Sequence, residues 1–154
     1  MDTVKEVMTK YEKTQNNLIQ IMLEVQELSG TNSLSYEEVD YVAKELGMTS
    51  SKVYGVLSFY AMFGFEPRGK HLIEVCKSAP CHVTGAKNLL KMIEDELAIK
   101  VGETTKDNMF TLLQSPCFGA CDISPAIKIG EKVYGNLTQE KLSEVLNLYK
   151  GGQL

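Results

Sequence analysis

The sequence has no tryptophan, only two histidines and no excess of basic residues. Its 16 Lys and Arg stand against 20 Asp and Glu, and the net charge of −4 excludes a general electrostatic footprint for nucleic acid. Uncharged runs such as Val53–Phe65 are far shorter than the roughly 20 residues that cross a bilayer, so we expect no direct membrane insertion. The first ten residues lack the apolar core of a signal peptide, which predicts a cytoplasmic protein.

The composition is otherwise that of an ordinary folded protein, with 44% apolar and 23% charged residues in a chain of 154. This length suits one domain or two small ones. The pattern along the chain changes after Pro67 and Gly69 from helical spacing to strands. We therefore predict a helical N-terminal domain over residues 1–69 and a second domain over residues 70–154.

Three helices are predicted in the first domain. Apolar residues three and four apart predict one amphipathic helix over Val4–Leu28. Ser35 and Glu38 form a capping-box pattern before a second helix, and Thr49 or Ser50 can cap a third.

An aromatic run follows the third helical cap and ends the first domain. We interpret it mainly as core between the two halves, with a docking surface for a partner subunit as the alternative. Its members are Tyr54, Phe59, Tyr60, Phe63 and Phe65.

The second domain has the predicted element order β-α-β-β-β-α, which indicates a sheet with helices packed on it. The predicted strands are His71–Val75, Met109–Leu113, Ala126–Ile129 and Lys132–Tyr134, and the predicted helices are Val83–Leu97 and one that Thr138 caps.

The four cysteines form two close pairs. Four residues separate Cys76 from Cys81, three separate Cys117 from Cys121, and 35 lie between the pairs. Each pair follows a predicted strand, so the pairs can meet at one edge of the sheet. In a reducing compartment disulfides are not expected, and four convergent thiolates bind either Zn²⁺ or an iron–sulfur cluster.

The spacing favours a [2Fe–2S] cluster, because structural zinc usually takes two tighter Cys-x2-Cys hooks. A zinc-stabilised binding module and a thiol-redox protein stay open as alternatives, although no Cys-x2-Cys redox motif occurs. Neither His71 nor His82 occupies a position in the sequence where a Rieske ligand is expected. We expect each to be a surface residue or to contact a metal ligand without binding the metal itself. A buried cluster dianion needs N–H donors, which we expect from the backbone of residues 77–79 and 118–120.

A series of residues between about 15 and 148 matches a known pattern. They are KVYGVLSFY at 52–60, PRGK at 67–70, GETT at 102–105, Asp107, Phe110–Thr111, Gly119, Pro125, Tyr134, Leu137–Thr138 and the four cysteines. With them the chain resembles the thioredoxin-like [2Fe–2S] subunit of NADH:quinone oxidoreductase (complex I), a family that also serves NAD-linked hydrogenases and formate dehydrogenases.

The resemblance implies an α+β protein in which an N-terminal helical bundle precedes a thioredoxin-like [2Fe–2S] ferredoxin domain. It implies one cluster on Cys76, Cys81, Cys117 and Cys121 and no catalytic residue on this chain. FMN and NAD(H) would bind a larger iron–sulfur partner subunit, in a complex with further iron–sulfur or hydrogenase subunits. We favour a soluble, electron-bifurcating hydrogenase-type complex over membrane complex I or an NAD-dependent formate dehydrogenase.

Three positions depart from the usual pattern of this family. Phe118 replaces an aliphatic residue, Ser124 replaces a small residue before Pro125, and Asn108 stands where glycine is common. None removes a cysteine, but Phe118 and Ser124 are expected to alter the solvation of a cluster. Asn108 is a mild change because asparagine tolerates left-handed backbone.

Overall fold

The computed structural model describes residues 2–152, which form two compact units, one ending at Arg68 and the other beginning at Gly69. The first unit is entirely helical. Its helices are α1 (Asp2–Lys10), α2 (Leu18–Leu28), α3 (Tyr36–Glu45) and α4 (Ser50–Phe59), with a short 3-10 helix, Gln15–Asn17, between α1 and α2.

The prediction of one continuous helix over Val4–Leu28 is wrong, because the chain leaves the helix after Lys10. Residues 12–17 are all polar, and they have nothing to bury. The Asn17 side chain donates to the Glu12 carbonyl at 3.0 Å, which favours a turn. Both α1 and α2 still contribute to one core, so the apolar spacing continues across the break.

The predicted helix caps are confirmed. The Ser35 hydroxyl accepts the Glu38 N–H, and the Glu38 carboxylate accepts the Ser35 N–H at 2.8 Å, completing a capping box. At the next helix the Thr49 hydroxyl accepts the Lys52 N–H at 3.3 Å.

The aromatic run divides between core and surface. Phe63 is buried in the core of the first unit, whereas Phe59 is 82% exposed and Tyr60 is also exposed. The buried Gln26 amide holds the backbone on either side of Phe63. Its Nε2 donates to the Met62 carbonyl at 3.0 Å, and its Oε1 accepts the Gly64 N–H at 2.8 Å. Phe63 therefore packs within the first unit, whereas Phe59 belongs to the surface, and a core between the two halves stays a prediction.

The second unit contains a four-stranded mixed sheet in the order β2-β1-β3-β4. The β1–β2 pair is parallel, while β3 is antiparallel to both β1 and β4. Its elements are β1 (His71–Cys76), α5 (Ala79–Val83), α6 (Ala86–Leu97), β2 (Phe110–Ser115), β3 (Ala126–Ile129), β4 (Lys132–Gly135) and α7 (Gln139–Lys150).

The predicted succession of strands and helices along the chain is confirmed, except that the predicted helix over Val83–Leu97 is divided into two. Gly85 lies between α5 and α6. Its φ is +110°, a backbone conformation that residues with a Cβ seldom adopt. Because the helix is interrupted at Gly85, Cys81 lies in the short helix α5 and not in α6. Asn108 has φ +55°, as its tolerance of left-handed backbone predicted.

Candidate metal centre

The four cysteines follow the two parallel strands of the sheet. Cys76 is the last residue of β1, and Cys81 lies in α5 just after it. Cys117 follows β2, and Cys121 begins a 3-10 helix that ends at Ile123. Because parallel strands end at the same edge of a sheet, both cysteine loops lie at that edge.

The sulfur atoms form one continuous group. The Sγ atoms of Cys117 and Cys121 are 3.7 Å apart. The thiols of Cys81 and Cys117 are near enough to Cys76 to lower its pKa. All four cysteines are free thiols. Within residues 2–152, no three His, Cys, Asp or Glu side chains are grouped so that they could hold a single metal ion.

The site has an inner and an outer pair of sulfurs. Cys76 and Cys81 are each only 2% exposed, whereas Cys117 and Cys121 are exposed. The partly buried Phe118 ring packs against the small cluster that Cys76 and Cys81 form with Ala86. The inner pair is therefore shielded from water and the outer pair is open to it.

Hydrogen-bond donors surround the sulfurs. The backbone and the hydroxyl of Ser78 both lower the pKa of Cys76, as donors beside its sulfur do. The Gly119 N–H lies 3.4 Å from the Cys117 Sγ, and its φ of +85° suits glycine. These donors lie in the two segments that the sequence predicted.

The prediction that residues 77–79 supply N–H donors to the sulfurs is wrong at Lys77. Its N–H donates to the Ser115 carbonyl at 3.0 Å and so extends the β1–β2 pairing, which leaves it no proton for a sulfur.

The thiol pKa values reflect this crowding of sulfurs. Burial opposes ionisation of Cys76, but the Ser78 donors and the neighbouring thiols outweigh it, so the pKa of Cys76 is lowered. At Cys81 the Ser124 hydroxyl favours the thiolate, yet burial, Cys76 and Cys117 outweigh it and raise the pKa. Contact with Cys117 raises the pKa of Cys121.

The pKa directions show that the sulfurs repel one another once one of them is ionised. Four thiolates can persist this close together only beside strong positive charge. Free thiols, close packing and N–H donors suit a pair of ferric ions bridged by sulfide, in which each iron needs two thiolates. The donor set therefore fits a [2Fe–2S] cluster.

The two histidines lie outside this set. The His71 ring packs against those of Phe110 and Tyr149, with centroids 5.8 and 4.8 Å away, and burial, aided by Lys70, lowers its pKa. His82 is exposed. His71 thus belongs to an aromatic group at the start of β1, at the strand end opposite Cys76.

Sequence reasoning missed two hydroxyl donors, those of Ser78 and Thr84. The Thr84 and Ser124 hydroxyls are hydrogen-bonded to each other and connect the Cys81 loop to the Cys121 loop. Ser124 stood out in the sequence as a departure from the family pattern. Nothing in the spacing of Ser78 or Thr84 distinguishes them from surface residues.

A four-cysteine centre at the edge of a mixed sheet, preceded by a helical unit, defines an iron–sulfur protein of thioredoxin-like fold. The pattern of the thioredoxin-like [2Fe-2S] ferredoxin family matches residues 4–150. The chain belongs to this family, and the predicted fold class is confirmed.

Relatives come from two kinds of complex. A subunit of the NADH-quinone oxidoreductase of Rickettsia prowazekii is 40% identical over 116 residues, which cover 75% of this chain and 66% of that protein. The HndA subunit of the NADP-reducing hydrogenase of Solidesulfovibrio fructosivorans is 33% identical over 135 residues, covering 88% of this chain and 78% of the relative.

A solved structure has the same fold. The air-oxidised NAD+-reducing [NiFe]-hydrogenase matches 92% of this chain and 24% of its own, with a TM-score of 0.76 at 16% identity. In the part of the chain that the structure describes, no helix has the length and apolar character needed to cross a membrane.

Proposed function

We propose that this chain is the [2Fe–2S] electron-transfer subunit of a multisubunit NAD-linked oxidoreductase. The convergence of Cys76, Cys81, Cys117 and Cys121 is the observation that carries the proposal. These four residues would hold one cluster, which supplies reversible one-electron transfer when bound. No residue of this chain is assigned a catalytic role.

The remaining residues of the site would set the surroundings of that cluster. Ser78 and Gly119 donate to the thiolates and offset their negative charge. Phe118 excludes water from the inner pair. The exposed side of Cys117 and Cys121 is the side on which a redox partner could approach closely.

The partner in this proposal is a larger iron–sulfur subunit that binds FMN and NAD(H). The exposed Phe59, Tyr60 and Met62 supply apolar area for docking on it. We favour a hydrogenase-type, electron-bifurcating complex in the cytoplasm, and the HndA relative, a subunit of an NADP-reducing hydrogenase, supports the hydrogenase part of that choice. The relatives in NADH-quinone oxidoreductase support a second candidate, the same role in complex I.

Replacement of single cysteines tests the ligand assignment. After anaerobic purification or reconstitution, the wild-type chain should be brown and contain about two irons and two labile sulfides. Cys76→Ser, Cys81→Ser, Cys117→Ser and Cys121→Ser should each lose the cluster or hold it poorly, because one iron then lacks a thiolate. His82→Ala is the matched control and should keep normal iron content.

Normal clusters in all four cysteine variants would refute the assignment. A colourless wild-type protein that contains zinc without iron would establish the zinc module instead, and metal-free disulfide turnover would establish a thiol-redox enzyme. The isolated chain should not oxidise NADH, and steady NADH-dependent dye reduction without a flavoprotein would contradict the proposal. Proteins that co-purify from the native cell would distinguish hydrogenase from quinone reductase.

A further inference from the structure

The two outer sulfurs are placed for a bond to each other. The Sγ atoms of Cys117 and Cys121 are 3.7 Å apart, and both residues are exposed free thiols. The backbone turns between them at Gly119, where φ is +85° and the N–H lies 3.4 Å from the Cys117 Sγ. This turn brings together two sulfurs that lie only four residues apart in the sequence.

The inner sulfurs are far less accessible to a reagent in solution. Cys76 and Cys81 are each 2% exposed, and the Phe118 ring packs against them. Thiol–disulfide exchange requires one sulfur to reach another, so its rate depends on access. A small disulfide molecule in solution therefore meets the outer pair first.

The backbone around the outer pair can adjust, whereas that of the nearest inner cysteine is fixed. Residues 116–120 belong to no helix or strand, and Cys121 begins a 3-10 helix of only three residues. Because the β1–β2 pairing ends at Ser115, no ladder hydrogen bond has to break while the two Sγ atoms close to the about 2.05 Å of a disulfide. Cys76 is held in that pairing opposite Ser115, so it competes poorly with Cys121 for the Cys117 sulfur.

We propose that Cys117 and Cys121 are a modification site, at which a small disulfide such as oxidised glutathione converts the thiol pair into a reversible disulfide. One outer thiol attacks the glutathione disulfide, which forms a mixed disulfide and releases one glutathione thiol. The second outer thiol attacks the cysteine sulfur of the mixed disulfide and releases the other glutathione. Two protein thiols are oxidised, one glutathione disulfide is reduced, and the two protein S–H protons end on the two glutathione thiols.

The consequence of this link for iron rests on the proposed function. Metal ions bind the thiolate form of cysteine, so the link would remove two of the four ligands until a dithiol reduces it. Conversely, iron bound by Cys117 and Cys121 would leave no thiol there for glutathione. Oxidant and iron thus compete for the same two sulfurs.

Peptide mapping tests the site in the full chain. The chain is freed of iron with a chelator and dithiothreitol under anaerobic conditions, desalted, treated with oxidised glutathione and quenched with iodoacetamide. Trypsin places the outer pair together in one peptide, residues 107–128, and each inner cysteine in a peptide of its own, residues 71–77 and 78–87. An outer link therefore leaves peptide 107–128 two hydrogens lighter and unalkylated, whereas any link to an inner cysteine joins two peptides.

The outer link should form roughly tenfold faster than any link to an inner cysteine, because only the outer sulfurs are exposed. Dithiothreitol should then restore all four titratable thiols. In cluster-loaded wild-type protein the link should appear only as the visible absorbance disappears.

Two single-cysteine variants form a matched pair, because each lacks one thiol. In Cys117→Ser the mixed disulfide at Cys121 has lost the neighbour that resolves it, so glutathione should stay attached to peptide 107–128. In Cys81→Ser the outer pair is intact, and the link should form at the wild-type rate.

A wild-type thiol form that stays unlinked, or a main product that joins peptide 107–128 to either inner peptide, would overturn the inference while the proposed function stands. A link that forms equally fast in iron-loaded protein, with undiminished visible absorbance, would show that the outer pair does not bind iron. That result would overturn the proposed function while the disulfide site stands.

Discussion

At the scale of single residues, the Phe118 ring packs against the inner sulfurs and so limits the access of water to them. We predict that Phe118→Ala exposes Cys76 and Cys81 and removes packing worth about 1–3 kcal/mol, less than for a fully buried phenylalanine. The cluster should bleach several times faster in the presence of an iron chelator, as followed by visible absorbance.

Phe118→Leu provides the control for that experiment, because leucine keeps an apolar cover of smaller size. Its bleaching rate should stay close to that of the wild type. Equal rates for Phe118→Ala and wild type would show that the ring does not shield the inner pair.

The sequence predicted the cysteine group but not its division into inner and outer sulfurs. Pair spacing and the preceding strands indicated that the loops would meet, and each loop was expected to supply N–H donors. Burial of Cys81 comes from α5, whose separation from α6 at Gly85 was not predicted. The direction of the Ser78 hydroxyl depends on loop conformation, which residue spacing does not encode.

At the scale of elements, the end of β4 supports the turn that holds Cys121. A Cβ added at Gly135 would lie 2.3 Å from the Ile123 carbonyl oxygen, and the Asn136 N–H donates to that same oxygen at 2.8 Å. We predict that Gly135→Ala displaces the turn, costs about 1–3 kcal/mol in the free energy of unfolding and weakens iron retention. Urea unfolding and iron analysis after gel filtration measure the two effects.

Gly55→Ala is the matched control for this substitution. Gly55 lies inside α4 with open space where a Cβ would be, and alanine is favoured in a helix by about 1 kcal/mol. It should therefore be neutral or stabilising and leave iron content unchanged. Full iron retention together with unchanged stability in Gly135→Ala would contradict the supporting role of β4.

Asp40, a carboxylate in α3 that bonds to the first residue of α4, should give pH-dependent stability. Asp40 accepts from the Ser50 hydroxyl and lies 2.6 Å from Lys44 Nζ, and contact with Lys44 and then Ser50 lowers its pKa. A lowered pKa stabilises the fold above the unfolded value of 3.8, and this stabilisation disappears as pH falls through the folded value.

We predict that Asp40→Asn lowers the urea midpoint at about pH 7 and that the difference from wild type shrinks towards about pH 3. Circular dichroism of the helices follows the transition. An equal loss at both pH values would show that the ionised carboxylate is not responsible.

Element boundaries were harder to predict than element types, for one physical reason. Apolar periodicity reports which face a helix buries, and α1 and α2 bury theirs in the same core. The pattern is therefore the same for one helix as for two. The cap residues Ser35, Thr49 and Thr138 were informative because their side chains bond to backbone within the same few residues.

At the scale of the whole molecule, we propose that the two units are separate domains. We therefore predict that the second unit folds and binds its cluster without the first. A chain that begins at Gly69 keeps all four cysteines and the bond from the Gly69 N–H to Thr111 Oγ1 at 2.7 Å. It should contain about two irons, as the full chain does, but bind the flavoprotein more weakly. The affinities of the fragment and the full chain for the flavoprotein are compared only on protein that is monodisperse and carries its cluster.

Phe59→Ser in the full chain separates loss of docking from loss of folding, because Phe59 is mainly exposed. Val83→Ser, at an 85% exposed position in the second unit, is the matched surface control. Unchanged affinity in both the fragment and Phe59→Ser would show that the helical unit is not an interaction element.

The register of β1 and β2 has a further consequence. Cys76 pairs with Ser115, two residues before Cys117. A slip of two residues would keep the side-chain faces and most backbone bonds, yet move Cys117 by roughly 6.6 Å along the sheet. With the proposed ligands, such a misaligned chain would have no place for iron. The visible absorbance of a preparation, relative to its protein content, would then report the fraction of molecules in which β1 and β2 are correctly aligned.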